Sequence, residues 1–177
     1  CEPILLIPDG FVSKMRVGAT NALGAKYMAP RGVETVGLLG AGRQAGGQVW
    51  GFDAVFDLDE IRVYSPTPES REEFVAGWNP RLDADIVAVD SASTAVGGAD
   101  VFATATNSMT PVFDPDLIAP GMHVITVKNP EVPEGAFEAV DRVAIHSQAA
   151  PEGPHNYTPR GSTFAERLDD AWGFETD

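Results

Sequence analysis

Two glycines and an alanine near the start of the chain have the spacing of a phosphate-binding turn. Residues 36–45 read VGLLGAGRQA, so the pattern G-x-G-x-x-A lies between an apolar run and a longer helical stretch. Gly40 would permit the tight turn, Gly42 would let a pyrophosphate approach the backbone, and Ala45 would let the helix pack closely. The amides and the positive dipole end of that helix also favour phosphate. This context predicts a dinucleotide site, with a purely structural turn as the alternative. The cofactor-binding residues predicted here are Gly40, Ala41, Gly42, Arg43, Gln44 and Ala45.

Three more glycines follow the turn, at positions 46, 47 and 51. Glycine lowers helix propensity by up to about 1 kcal/mol relative to alanine. Their presence in a helical stretch predicts close packing against a partner element.

The second apolar run, Ile61–Tyr64, bears on the identity of the nucleotide. An acidic residue at the end of this strand usually holds the ribose 2′-hydroxyl of NAD. The acidic residues at 57–60 precede the strand, so that residue is missing. Ser65 and Thr67 could donate to a 2′-phosphate, and Arg71 could supply charge. NADP is therefore favoured over NAD, although Ser65–Thr67 as a simple turn and Arg71 as a helix surface residue stay open.

The elements that would position these residues alternate along the chain from Val33. Short, continuously apolar runs are typical of parallel strands buried on both faces. Runs alternating with crossovers predict an α/β fold, a Rossmann-type doubly wound, mostly parallel six-stranded sheet. The predicted strands are Thr35–Leu39, Ile61–Tyr64, Ile86–Val89, Val101–Thr106, His123–Val127 and Arg142–His146. The predicted helices and links are Arg43–Phe56, Pro68–Trp78, Ser91–Gly97, Asp114–Ile118 and Gly135–Ala139.

The flanks of this alternation have a different character, which predicts three segments. Residues 1–30 form a lead-in of an apolar run at Ile4–Ile7, stopped at 8–10, and a helix at Met15–Met28. Residues 31–148 form the nucleotide-binding domain. Residues 149–177 form a Pro- and Gly-rich tail in which Thr163–Trp172 is a candidate helix. The start has neither an initiator Met nor a signal-peptide pattern, so we expect the chain to begin within a longer gene product.

Composition excludes several classes of function. The 177 residues carry a net charge of −14, which repels nucleic acid and anionic membranes. A single cysteine allows neither an internal disulfide nor a thiolate metal cluster, and we expect no metal and a cytoplasmic location. His123 and His146 lie on predicted core strands and are expected to be structural, whereas His155 is a candidate loop ligand.

Five segments together resemble the ornithine cyclodeaminase/mu-crystallin family. They follow the family's order and cover roughly residues 3–147. They are residues 16–29 (RVGATNALGAKYMA), 40–45 (GAGRQA), 63–68 (VYSPTP), 99–106 (ADVFATAT) with Pro111 after it, and 120–124 (PGMHV).

The resemblance implies a Rossmann domain within a homodimeric enzyme that moves hydride between a nicotinamide and the α-carbon of a small amino or imino acid. Arg16 corresponds to a clamp for the substrate carboxylate, a group that guanidinium binds well; a surface arginine is the alternative. Lys128, just after the strand end at Val127, is the second substrate-binding residue implied. The cofactor-binding residues implied by the nicotinamide-facing strand ends are Thr104, Ala105, Thr106 and Val127.

Departures from the family pattern shape the functional expectation. Cyclodeaminases carry a catalytic Asp where residues 128–131 read KNPE, and Glu131 stands one residue away from that position. This disfavours ornithine cyclodeaminase proper and favours a ketimine reductase or an amino-acid dehydrogenase. Pro66 also replaces a basic residue that some NADP-using members carry. A non-catalytic nucleotide- or small-ligand-binding protein of the mu-crystallin type is the alternative, and the fragment alone is expected to be deficient in activity.

Overall fold

The fold is that of a computed structural model, which describes residues 4–5 and 9–144. Five parallel strands form one sheet in the order β3-β2-β1-β4-β5. The strands are β1 (Thr35–Leu39), β2 (Glu60–Tyr64), β3 (Asp85–Ala88), β4 (Val101–Thr104) and β5 (His123–Thr126). The helices are α1 (Asp9–Met28), α2 (Arg43–Val55), α3 (Pro68–Trp78) and α4 (Ala92–Val96). Short 3-10 turns lie at Asn79–Arg81, Pro115–Leu117, Asn129–Glu131 and Glu134–Phe137.

The sheet has a separate hydrophobic core on each face. Successive side chains of a strand point to opposite faces, so the apolar run of β1 supplies both cores. Val36 and Leu38 pack in the core that contains α2 and α3, whereas Leu39 packs with Ala95 and Val96 of α4. This arrangement confirms the predicted doubly wound α/β fold with a parallel sheet.

The number of strands differs from the prediction. Of the sixth predicted strand, Arg142–His146, the described residues 142–144 form no strand, and His146 lies outside the described part. The described sheet therefore has five strands rather than six.

The lead-in also differs from the prediction. The first helix begins at Asp9 instead of Met15, so the Asp-Gly pair that was expected to stop the apolar run forms the first turn of α1. Ile4 and Leu5 have no regular structure. The tail, with His155 and the candidate helix at Thr163–Trp172, lies outside the described residues.

Helix α1 packs on α2 with almost no side chains between the two backbones. A Cβ added at Gly47 would lie 2.1 Å from the carbonyl oxygen of Lys14, and one at Gly18 would lie 2.0 Å from that of Gly47. Further along, a Cβ at Gly51 would lie 2.7 Å from the Gly18 oxygen and 3.1 Å from Ala22. Later residues of α1 contact later residues of α2, so the two helices run in the same direction. The start of α1 therefore lies beside the glycine turn.

Two further contacts complete the surroundings of α2. A Cβ at Gly46 would lie 2.5 Å from the Trp78 ring of α3, so both α1 and α3 approach the glycine-rich side of α2. Between α1 and α2, the Asn21 amide donates a 2.9 Å hydrogen bond to Gln48 Oε1. The predicted close packing of the three glycines is thereby confirmed.

Candidate functional site

The carboxyl ends of the parallel strands bring the predicted cofactor residues to one edge of the sheet. Gly40 N donates a 2.8 Å hydrogen bond to the carbonyl oxygen of Tyr64, which joins the ends of β1 and β2. Ala105 N donates a 2.8 Å bond to the Leu39 carbonyl, which joins the ends of β1 and β4. The strand order reverses between β1 and β4, and ligands of open α/β sheets bind outside such a reversal.

The glycine turn has the shape that a pyrophosphate requires. Gly40 has φ +117°, a value that favours glycine, and a Cβ there would lie 2.4 Å from the Ala105 oxygen. Gly42 is the N-cap of α2, makes no side-chain cap, and would place a Cβ with no atom within 4 Å. Ala45 is fully buried against the sheet. The first amides of α2 are therefore left to an external acceptor, and the residues fit a bound dinucleotide.

Two polar residues in the first turn of α2 differ in their surroundings. Gln44 Oε1 is buried, and within the described residues it has no hydrogen-bond partner. Buried acceptors are normally satisfied, so this atom is open to a donor from a ligand or water. Arg43 is exposed, and its guanidinium lies against the start of α1, 3.7 Å from the position of a Cβ at Gly10.

The turn after β2 is organised around Arg71. The Arg71 side chain is buried, and its Nη1 donates a 3.0 Å hydrogen bond to the Ser65 carbonyl oxygen. Nη2 pairs with the carboxylate of Asp90, and the guanidinium lies 6.0 Å from the centroid of the Tyr64 ring. Arg71 is thus not the helix surface residue of the alternative interpretation. Thr67 is the N-cap of α3 but its side chain makes no cap hydrogen bond.

Asp90 was missed by sequence reasoning. Its backbone follows β3, which lies next to β2, and parallel strands end at the same edge. A carboxylate just after the third strand was therefore the available signal, but its pairing with Arg71 depends on how α3 packs.

The end of β4 is held by a buried carboxylate. Glu131 is fully buried and accepts hydrogen bonds from Thr104 Oγ1 (3.0 Å), Thr106 Oγ1 (2.5 Å) and Thr106 N (2.5 Å). Thr106 Oγ1 in turn accepts a 3.0 Å bond from Ser108 N. Both threonine hydroxyls are therefore committed inside the protein, and Ala105 between them is buried. From the sequence, Glu131 was expected only as a displaced catalytic acid, and its hydrogen bonds to Thr104 and Thr106 were not predicted.

Arg16 and Lys128, the two residues that the family resemblance implies for substrate binding, lie on different elements. Arg16 is exposed on α1, and Lys128 is half-buried just after β5. Val127 donates its amide to the Thr104 carbonyl at 3.2 Å and contacts the core. Among residues 9–144, neither Arg16 nor Lys128 forms an ion pair.

Other candidate chemistry lies away from this edge. His123 begins β5, and its backbone amide donates a hydrogen bond to the Asp100 carbonyl. This contact lies at the amino ends of the strands, whereas the candidate site lies at their carboxyl ends. Burial lowers the pKa of the His123 imidazole, because the low-dielectric interior disfavours the charged form. In the described part of the chain, no three His, Cys, Asp or Glu side chains converge to hold a metal. Over the same residues, no helix combines the length and apolar character needed to cross a bilayer.

A parallel doubly wound sheet, with a glycine turn feeding a helix at the reversal of strand order, defines a Rossmann-type dinucleotide-binding domain. Residues 2–146 match the sequence model of the Ornithine cyclodeaminase/mu-crystallin family. The chain belongs to that family.

Its relatives include enzymes of more than one activity. It is 29% identical over 154 residues to a Delta(1)-pyrroline-2-carboxylate reductase of Bacillus cereus, covering 84% of this chain and 47% of the relative. It is 34% identical to an ornithine cyclodeaminase of Agrobacterium fabrum over 69% of this chain and 35% of that protein. The chain thus spans about half, or less, of the length of these curated relatives.

A solved structure of similar fold comes from Thermococcus litoralis. It is a Delta(1)-pyrroline-2-carboxylate reductase in complex with NADH and L-proline, with a TM-score of 0.65 and 30% sequence identity. The match covers 67% of this chain and 37% of that chain.

Proposed function

We propose that this chain is the nucleotide-binding part of an NAD(P)-dependent oxidoreductase that acts on a small amino or imino acid. The observation that carries the proposal is the open space at Gly42, beside uncapped amides of α2 and facing the edge where β1, β2 and β4 end. Reductases of the same family share this part of the sequence, and one of them holds NADH and L-proline.

The chemistry would come from the nicotinamide, which supplies or accepts a hydride when bound. The chain's own contribution is to bind and orient. The glycine turn and the first amides of α2 would hold the pyrophosphate, and Gln44 Oε1 would accept a hydrogen bond from the ligand or from a water beside it. The implied roles of Arg16 and Lys128 in binding the substrate carboxylate belong to the same proposal.

Reduction of an imine or oxidation of an amine suits the site better than cyclisation of ornithine. The carboxylate nearest the family's catalytic position, that of Glu131, is fully buried and accepts three hydrogen bonds. It is not open to a substrate. We therefore favour a ketimine reductase or an amino-acid dehydrogenase over a cyclodeaminase, within a homodimeric cytoplasmic enzyme.

A preference for NADP is the finer part of the proposal. The residues directly after β2, at positions 65–68, include no acidic residue, and Ser65, Thr67 and Arg71 lie together at the end of the strand. Arg71 already pairs with the carboxylate of Asp90, so a 2′-phosphate would have to share the guanidinium with that carboxylate.

The test is titration of the chain with NADH and NADPH, followed by energy transfer from tryptophan. Trp50 on α2 is a suitable donor because it lies two turns beyond the glycine turn. The decisive variant is Gly42→Ala. Alanine accepts the φ of −95° at this N-cap but is a poorer N-cap residue than glycine, so the thermal midpoint should fall by a few degrees at most. Affinity for both nucleotides should fall about tenfold or more, because the methyl group occupies the approach to the phosphates.

Gly77→Ala is the matched control, because a Cβ there also meets nothing within 4 Å but lies on α3. It should leave nucleotide affinity unchanged. Equal affinity of Gly42→Ala and the unmodified chain, or no binding of either nucleotide at millimolar concentration, would contradict the proposed site.

A further inference from the structure

Arg71 is a buried cation whose two terminal nitrogens have different partners. Only 8% of the residue is exposed, and one guanidinium nitrogen, Nη1, is held by the neutral Ser65 carbonyl. The other terminal nitrogen, Nη2, pairs with Asp90. The guanidinium is thereby fixed at the turn between β2 and α3, where Asp90 is the one carboxylate that pairs with it among the described residues.

Asp90 differs sharply from its partner in exposure. Its side chain is 95% exposed, whereas that of Arg71 is 10% exposed. The carboxylate therefore approaches Arg71 from the solvent side, and a dissolved ligand that approaches the guanidinium from solvent meets this carboxylate. An anion bound at Arg71 must either displace the Asp90 carboxylate or lie next to it.

The position of the Arg71–Asp90 pair in the fold indicates which ligand anion would reach it. Ser65 and Thr67 form the turn after β2, and in this fold the adenosine ribose is held at the end of the second strand. A ribose 2′-phosphate would be the ligand anion nearest to Arg71, since the pyrophosphate belongs at the glycine turn. NAD has a neutral hydroxyl at the same carbon.

We propose that Asp90 controls the choice between NADP and NAD by competing with the 2′-phosphate for the Arg71 guanidinium. This inference rests on the proposed function, because it concerns the same nucleotide site. A carboxylate beside the phosphate repels it and occupies one of its donors, so Asp90 weakens NADP binding. The hydroxyl of NAD carries no charge and is little affected.

The experiment uses Asp90→Asn, which keeps the size of the side chain and removes its charge. Kd values are measured for NADPH and NADH, and for adenosine 2′,5′-bisphosphate and AMP, which probe the adenosine end alone. We expect a roughly three- to fivefold gain in affinity for the two 2′-phosphorylated ligands, since an exposed ion pair contributes up to about 1 kcal/mol, which is about a fivefold change in Kd. The Kd values for NADH and AMP should change less than about twofold, and the gain should diminish in high salt.

Glu69→Gln is the matched control, because Glu69 lies in the first turn of α3 but makes no ion pair with Arg71. It should change the ratio of NADPH to NADH affinity by less than about twofold. An equal effect of both variants would overturn competition for Arg71 and indicate a general effect of charge. Arg71→Lys should lower the affinity for 2′-phosphorylated ligands selectively, with its fold checked by thermal unfolding.

The outcomes separate this inference from the proposed function. Binding of NADH and NADPH with a ratio unchanged in Asp90→Asn overturns the role of Asp90 and leaves the nucleotide site intact. Absence of binding by AMP, NADH and NADPH in the unmodified chain overturns both.

Discussion

At the scale of single residues, Glu131 illustrates how a carboxylate can be fully buried when no cation among the described residues pairs with it. Its two oxygens receive two hydroxyl donors and one backbone amide. Burying a charge is costly unless hydrogen bonds replace those to water, and here three do so. The consequence is that residues 104–106, at the end of β4, are tied to the segment after β5. We infer that Glu131 fixes the shape of this edge of the sheet.

Replacing Glu131 tests that structural role. Glu131→Ala should lower the free energy of unfolding by about 3 kcal/mol, because it leaves buried hydroxyl and amide donors without acceptors. Glu131→Gln should cost only about 1 kcal/mol, since its amide oxygen still accepts from Thr106 while its nitrogen can donate to Thr104 Oγ1. Urea denaturation measures both. An equal loss in the two variants would show that the charge, rather than the hydrogen bonds, is what matters.

His123 should make stability depend on pH. Its folded-state pKa is lowered from 6.5 by burial, so the folded protein binds fewer protons than the unfolded chain between the two values. Stability is therefore full above about pH 6.5 and decreases as the pH falls below it. Thermal midpoints measured between pH 8 and pH 5.5 should show this decrease. It should be smaller in His123→Gln; an identical pH profile in that variant would exclude His123 as the cause.

At the scale of elements, the contact between α1 and α2 depends on missing side chains. The backbones approach so closely at Gly18 and Gly47 that a methyl group on either would overlap a carbonyl group of the neighbouring helix. The same glycines weaken α2 as an isolated helix. Packing on α1 must therefore supply part of the stability of the helix that presents the candidate phosphate site.

Gly47→Ala should separate the two helices. A Cβ 2.1 Å from the Lys14 oxygen cannot be accommodated without moving backbone, and we expect a loss of about 3 kcal/mol in the free energy of unfolding. Gly77→Ala on α3, which meets nothing within 4 Å, should instead be neutral or stabilise by up to about 1 kcal/mol. Chemical denaturation followed by tryptophan fluorescence measures both changes. A neutral Gly47→Ala would mean that α1 does not pack on α2 as described.

The sequence predicted the elements better than the contacts between them. β1 and α3 have their predicted bounds because apolar β-branched runs and a Pro-led helix are local signals. The predicted start of α1 was wrong, since Pro-Asp-Gly resembles a turn and the packing of α1 on α2 is not visible in the local sequence. Asp90 and Glu131 each act on residues distant in the chain, through helix packing and the path after β5. No local spacing encodes either contact.

At the scale of the whole molecule, the 26 acidic residues outnumber the 12 Lys and Arg residues, which gives a net charge of −14. Among the described residues, ion pairs join Arg62 to Glu60 and Arg71 to Asp90. Many of the remaining carboxylates lie on the surface, three of them on α3 at positions 69, 72 and 73. Such a surface repels itself in the compact state, and that repulsion is long-range at low ionic strength.

Salt should therefore stabilise the fold. Raising NaCl from about 10 mM to about 500 mM shortens the Debye length from roughly 30 Å to less than 8 Å, so the thermal midpoint should rise by several degrees. The double variant Glu72→Gln/Glu73→Gln removes two exposed charges that make no ion pair in the described part of the chain. It should melt at a higher temperature than the unmodified chain in low salt and at the same temperature in high salt, because screening then makes its advantage disappear. A midpoint that is insensitive to NaCl, or an advantage of the double variant that persists in high salt, would show that charge repulsion does not limit the stability of this domain.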